Sequence, residues 1–230
     1  MNAAASLPRR WTGGEAPDPV MLAASPVLHT RPIARDASGP LLVCGIGTRQ
    51  MLPFLVAAKS LCRLLGRGRI ALVDDGTLTG EDRALLAHHC NDPAIHTARA
   101  DNAPFPDGND WAALAALVGR HQADFRVLLD LSHVVLELPA QVGDAIGRNR
   151  TFHGPDAHGL IGLSAMGAGP AEARALLARL SQERRTAPEA ARRFVHALAL
   201  NEPGAVELAA PIGVPVTADK VQRAVEALLN

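Results

Sequence analysis

Three short stretches carry the residues with the most chemical reach: RVLLDLSH at 126–133, DDGTLTG at 74–80 and CGIGTRQ at 44–50. Each reads as the end of a buried strand running into polar or glycine residues. Asp130 closes the strand of the first stretch, and a carboxylate at the mouth of a sheet often holds a metal ion or a nucleotide. Leu131, Ser132 and His133 follow it, however, and none of them is a second carboxylate. Asp74 and Asp75, two adjacent acids before Gly76, exceed what a helix start requires. They are either acceptors for a ribose or sugar hydroxyl or the solvated acids of a turn. In CGIGTRQ, the pair Gly45 and Gly47 lets backbone N–H groups approach a phosphate, with Thr48 and Arg49 placed to meet an anion. A dinucleotide fingerprint needs a third glycine where Gln50 stands, and no Gly-Lys-Ser/Thr follows as in a P-loop. A plain tight turn is the competing reading.

Other reactive side chains are less suggestive. His88 and His89 are neighbours on an expected helix and point about 100° apart, so they do not chelate together. Zinc asks for i, i+4 spacing or a Cys-x-x-Cys knuckle, and Cys44, Cys62 and Cys90 are widely spaced. His153 and His158 flank a Gly-Pro loop and either line a pocket or are polar loop residues. No Gly-x-Ser-x-Gly elbow is present, nor a Cys-His pair with an evident orienting acid, so nucleophilic hydrolase chemistry has no support.

These residues need a scaffold, and the pattern supplies one. PLLVCGIG at 40–47 is an apolar run stopped by glycine, as in a buried strand. Met51, Leu55, Ala58, Cys62 and Leu65 recur at helical spacing, and Gly66 ends that helix. RIALVDD at 69–75 is a second strand; Thr79 with Asp82 three residues on caps the helix GEDRALLAHH. WAALAALVGRHQ at 111–122 reads as a helix, FRVLLD as a third strand and VVLEL at 134–138 as a fourth. PAQVGDAIGR follows with proline in its first turn. GLIGLSAM at 159–166 is a late strand, helices follow near 170–184 and 188–200, and Thr217 caps a final helix at 218–229. Strands alternating with helices predict an α/β fold: a mostly parallel central sheet with helices on both faces, Rossmann-like in plan. Residues 1–40, rich in Pro, Gly, Ala and Arg, read as a partly ordered lead-in, and 41–230 as a single domain.

Composition narrows the function classes. The 230 residues balance 23 basic against 23 acidic side chains, with 48% hydrophobic and 20% charged. No general polyanion partner is implied. With no Tyr, two Trp and five Phe, the chain is short of the stacking surfaces that bind single-stranded nucleic acid. No run approaches the ~20 apolar residues of a membrane span. An odd number of scattered cysteines suits reduced thiols, and the expected location is cytoplasmic.

Taken in order, AAKSLCRLLGRGRIALVDDGTLTGEDRALLAHH and VLLDLSHVVLELPAQVGDAIGRNRTF resemble segments of bacterial glycosyltransferases of the GT-A fold, closest to family 8-like proteins that use nucleotide sugars. That group shows an Ala-x-Lys-Ser helix, a strand ending Asp-Asp-Gly-Ser-Leu-Thr, a strand ending Leu-Asp-Ser-Asp-Thr, then Pro-x-Glu-Val and Asn-Arg-x-Phe. The matching positions here are Ala57–Ser60, Asp74–Thr79, Leu129–His133, Pro139–Val142 and Asn149–Phe152. The order and spacing hold over residues 41–153 and more loosely to about 200.

The resemblance implies sugar transfer from a nucleotide-diphosphate donor to an acceptor hydroxyl. It implies that Gly45, Gly47, Thr48, Arg49, Asp74, Asp75, Gly76, Asp130 and Ser132 lie at the donor site. In such enzymes an Asp-x-Asp pair holds Mn²⁺ or Mg²⁺ against the diphosphate leaving group. Here the first acid is Asp130, while Ser132 stands at the second, so the motif is degenerate. The loop at 44–50 lacks the acid that relatives carry, and Gln141 replaces the glutamate of Pro-x-Glu-Val. Arg49 and Lys59 are the cations nearest to hand as substitutes for an ion, unless Lys59 is a solvated mid-helix residue. The alternative is a non-catalytic homologue acting as a nucleotide-sugar-binding or protein-interaction module.

Overall fold

The computed structural model describes residues 7–34, 36, 38–97, 120–121, 123–155, 158–165, 195–200 and 202–230. At its centre is β1 (Leu41–Ile46), which pairs in parallel with β2 (Arg69–Asp74) on one side and with β4 (Arg126–Leu128) on the other. Both faces of β1 are covered, which is why LLVC reads as an unbroken apolar run rather than an alternation. Beyond β2 lies β3 (Ala94–Thr97); beyond β4 lie β7 (Ile161–Leu163), β6 (Phe152–His153) and β8 (Val206–Glu207), giving the order β3-β2-β1-β4-β7-β6-β8. Among the described residues, only β7 runs against the other strands of this sheet. The expected α/β class with a largely parallel sheet is met.

Helix α3 (Met51–Leu65) follows β1 and is buried on almost every side from Met51 to Cys62. It packs on β1 and is covered from outside by α2 (Pro19–Ala24) and by the last helix, α6 (Ala218–Leu229). A helix enclosed in this way needs no polar face. Its end is set by Gly66 at φ 69°, the left-handed position that favours glycine. α4 (Gly80–Cys90) begins with the capping box expected of Thr79 and Asp82. α5 (Ala140–Gly147) starts directly after Pro139.

The segment read as a lead-in carries α1 (Arg9–Thr12), α2 and a 3₁₀ turn (Ser25–His29). Trp11, Met21, Ala24 and Val27 from these elements are buried in the same apolar core as α3. VVLEL at 134–138 does not form a fourth strand of the main sheet. Only β5 (His133–Val134) forms, and it pairs antiparallel with β9 (Val214–Pro215) in a separate ribbon. The helix expected at 111–122 and that near 170–184 lie outside the described residues, apart from residues 120 and 121; of the helix expected at 188–200, residues 195–200 are described and are helical. Cys44, Cys62 and Cys90 are buried and unpaired.

Candidate functional site

In a parallel sheet the loops after the strands gather at one edge. The ends of β2, β1 and β4 are neighbours there, since Val43 of β1 faces Ala71 on one side and Leu128 on the other. Leu129 still donates to the carbonyl of Val43 at 3.0 Å, so Asp130 is the first residue beyond the ladder. The expected donor-site residues therefore do share one edge. They separate into two local clusters.

The first cluster surrounds Asp130, which is buried with 7% of its surface exposed. Its Oδ1 accepts from the Ser132 amide at 3.0 Å and the Ser132 hydroxyl at 2.6 Å. Its Oδ2 accepts from the Gly159 amide at 3.0 Å and lies 3.0 Å from His133 Nδ1. His133 N donates to the Asp130 carbonyl at 3.1 Å, which closes a tight turn. The exposed His158 adds its Nδ1 at 4.0 Å from Oδ2, and its ring lies 5.9 Å from that of His133. Gly159 is fixed by two demands at once: φ is +75°, and a Cβ there would stand 2.4 Å from the Ile212 carbonyl oxygen. Burial of Cys44, with Asp130's charge nearby, pushes its thiol far up, so it is no nucleophile.

The second cluster joins the loops after β1 and β2. The amide of Gly47 donates to Gln50 Oε1 at 2.9 Å, and that of Thr48 to Thr77 Oγ1 at 2.9 Å. Asp75 holds Thr77 through the amide at 2.8 Å and the hydroxyl at 2.6 Å. Its other oxygen crosses Gly47, where a Cβ would be only 2.1 Å away. Gly47 is extended at φ −124°, so glycine is required here for close approach and not for backbone freedom. Gly76 at φ +93° makes the turn. Gly45 is the exposed position in an otherwise buried strand, and a side chain there would meet nothing within 4 Å.

Asp74 and Asp75 have different jobs. Asp74 is 1% exposed and turned inward, accepting from the Gly76 amide at 2.8 Å and pairing with Arg83. It therefore has little left for a sugar hydroxyl, whereas Asp75 is exposed at the edge. The residue that organises this region is Asp82, which the sequence marks only as a helix cap. Fully buried, it accepts from Trp11 Nε1 at 2.8 Å, Arg10 Nε at 3.1 Å, the Thr79 amide at 3.1 Å and the Thr48 hydroxyl. Burial pushes its carboxyl up, but the bonds from Thr48, Trp11 and Thr79 outweigh that and hold it at about 2.

The two candidate cations also part company. Arg49 is exposed, its guanidinium lying against Gly13 of the N-terminal segment. Lys59 is not a solvated mid-helix residue. It is 3% exposed, and its ammonium donates to Thr30 Oγ1 at 2.7 Å and the Arg31 carbonyl at 2.9 Å, with His89 Nδ1 at 2.9 Å. Its charge is spent on tying the N-terminal segment to α3 and α4. His153 is buried, with Nδ1 2.8 Å from the Gly154 carbonyl oxygen, so of the two loop histidines only His158 reaches the edge. His133, Gly159 and Thr77 belong to the site and were not singled out by sequence pattern.

Comparison with known proteins supports the fold. The chain is similar to the glycosyltransferase GlyE of Streptococcus pneumoniae TIGR4, with a TM-score of 0.54 and 14% identity, over 74% of this chain and 45% of that one. The chain thus spans less than half the length of GlyE. It is also similar to a galactosyltransferase, LgtC, solved with donor and acceptor sugar analogs, with a TM-score of 0.49 and 14% identity, over 73% of this chain and 72% of that one. No family model matches the chain, and no curated protein matches it. At this identity the likeness to GlyE establishes a glycosyltransferase fold of the GT-A kind, and the fold alone.

Proposed function

We propose that the chain binds a nucleotide-diphosphate sugar along the edge formed by the ends of β1, β2 and β4, and passes the sugar to an acceptor hydroxyl without a divalent ion. The observation that carries this reading is the environment of Asp130. An ionised carboxylate offers about four lone-pair positions. Here four donors from the chain itself surround it: the Ser132 amide and hydroxyl, the Gly159 amide and the imidazole of His133. A hard divalent ion needs several oxygen ligands, carboxylates above all. Ser132 is neutral, and its hydroxyl proton is already directed at Asp130. The residues present therefore do not suit an Mn²⁺ or Mg²⁺ ion, and no step is assigned to one. Exposed Asp75 suits a ribose hydroxyl, exposed Gly45 leaves room for the ligand, and Arg49 is an accessible cation at the edge. Three buried, unpaired thiols favour a reducing compartment, the cytoplasm.

A second reading, a non-catalytic module that binds a nucleotide sugar or a protein, is favoured by one further observation. The amides of Gly47 and Thr48, the natural phosphate contacts of the β1 loop, are already satisfied by Gln50 and Thr77. Titrating nucleotide-diphosphate sugars in EDTA and in Mn²⁺, with donor turnover followed in parallel, separates the readings. Metal-independent binding with turnover supports the first. Binding without turnover supports the second, and binding that requires Mn²⁺ contradicts both.

A further inference from the structure

One buried acid brings two distant arginines together. Asp82 accepts from Arg10 Nε at 3.1 Å, from Trp11 Nε1 at 2.8 Å and from the Thr48 hydroxyl. Arg9 precedes Arg10 in α1, and Arg49 follows Thr48 in the loop after β1. Each is therefore one residue from an anchor on the same carboxylate. Both side chains reach the turn at Gly13 and Gly14. A Cβ on Gly13 would stand 2.7 Å from Arg49 Nη2, and one on Gly14 would stand 3.6 Å from Arg9 Nη2. Adjacent Cα atoms are about 3.8 Å apart, so the two guanidinium groups stand within reach of one ligand. The turn that gathers them is fixed: the glycines take φ of +68° and +86°, and both of their amides donate to the Arg9 carbonyl. Arg10 is matched by Glu81 at 2.8 Å as well as by Asp82. Arg9 and Arg49 are exposed, and among the described residues neither guanidinium has an ion pair or a hydrogen bond. Glu15, next in the chain after the turn, pairs with neither. Arg69, Arg83 and Arg150, by contrast, are each bonded to a partner. Two like charges gathered at one turn repel each other, and an anion between them relieves that.

We propose that Arg9 and Arg49 form a clamp for a diphosphate group, through which the N-terminal segment completes the donor edge. The inference rests on the nucleotide-sugar reading above and adds the groups that hold the diphosphate. Arg49 belongs to the loop after β1 and so stands at the edge where the strand ends gather. Arg9 is carried to it by α1, which Trp11 and Arg10 pin to Asp82. Together the two guanidinium groups bring the double positive charge that a divalent ion would bring. Each also presents a planar fork of N–H donors that matches two phosphate oxygens. The clamp gives the segment before β1 a part in binding beyond its share of the core.

The test is calorimetry on the full chain in EDTA, with pyrophosphate and with uridine-, guanosine- and adenosine-diphosphate hexoses. Arg9→Gln and Arg49→Gln are compared with Arg223→Gln, which removes an exposed charge from α6. The clamp variants should keep the fold, since neither side chain is bonded to the rest of the chain. Each is expected to weaken pyrophosphate and the bound donor roughly 10- to 100-fold, while Arg223→Gln binds as the parent does. Donor binding that survives both clamp substitutions overturns the clamp and leaves the donor reading standing. A loss confined to one arginine overturns the pair. Equal losses in all three variants overturn it as well, because the attraction is then one of net charge alone. Pyrophosphate held through both arginines with no donor bound keeps the diphosphate site and removes the donor reading. If the parent binds neither ligand, both fall.

Discussion

The hydroxyl of Thr48 donates to the carboxylate of Asp82, joining the loop after β1 to the helix after β2. The same carboxylate takes Trp11 Nε1, so one buried acid holds the N-terminal segment, the β1 loop and the start of α4 together. Asp82→Ala leaves several buried donors unpaired and is expected to cost about 3 kcal/mol in a denaturant titration. The pH dependence follows from its carboxyl lying at about 2 in the fold against 3.8 unperturbed. The unfolded chain binds the proton more readily, so Asp82's contribution is complete above about pH 4 and is lost as pH falls toward 2. In Asp82→Asn that acid limb is missing.

Lys59 and His89 give two further limbs of the opposite chemical kind but the same sign. Burial lowers Lys59 to about 8 from 10.5, and burial together with Lys59's charge lowers His89 to about 4 from 6.5. In each window the unfolded chain holds more protons, so stability rises with pH from about 4 to 6.5 and again from about 8 to 10.5. Unfolding midpoints measured across that range should show both rises. Lys59→Met should abolish the upper one and cost about 2–4 kcal/mol, because Thr30 Oγ1 and the Arg31 carbonyl lose their buried donor.

Two glycines of the edge should respond in opposite ways. Gly159→Ala combines a left-handed φ with a clash against the Ile212 backbone, and a loss of at least about 2 kcal/mol is expected. Gly45→Ala meets no neighbour within 4 Å, so thermal stability should hold or rise slightly. Its methyl group projects into the space left for the ligand, and calorimetry should show weakened donor binding.

Ser132→Asp sets a second carboxylate beside Asp130 in place of the hydroxyl that now donates to it. Like charges in contact should lower stability at neutral pH by about 1–2 kcal/mol. Added Mn²⁺ should then raise the melting temperature of this variant while leaving that of the parent unchanged. Equal shifts in both would mean that Asp130 accepts an ion as it stands.

Much of the scaffold could be read from residue types. The strand at 41–46, the helix at 51–65 with Gly66 behind it, and the capping box of Thr79 and Asp82 all carry local signals that their burial reinforces. β6, β8 and β9 are two residues each, too short for a period to show, and they exist because neighbouring backbone is within reach. Lys59 misled because helical spacing says which side of α3 a residue is on, and not that Thr30, Arg31 and His89 of α4 cover that side. The acids at 74 and 75 look alike in sequence; only the positions of Arg83 and Thr77 separate the structural one from the exposed one. His133 carries no motif of its own. Its meaning comes from Asp130 three residues before it and from Gly159, which reaches the same carboxylate from 29 residues away.

In the proposed reading, the donor edge works with the chain's own hydrogen-bond donors around Asp130 and without a divalent ion. Calorimetric titration of the full chain with nucleotide-diphosphate hexoses, in EDTA and then in excess Mn²⁺, tests it most directly. The same donor affinity is expected in both buffers. Binding seen only in Mn²⁺, or in neither, contradicts it.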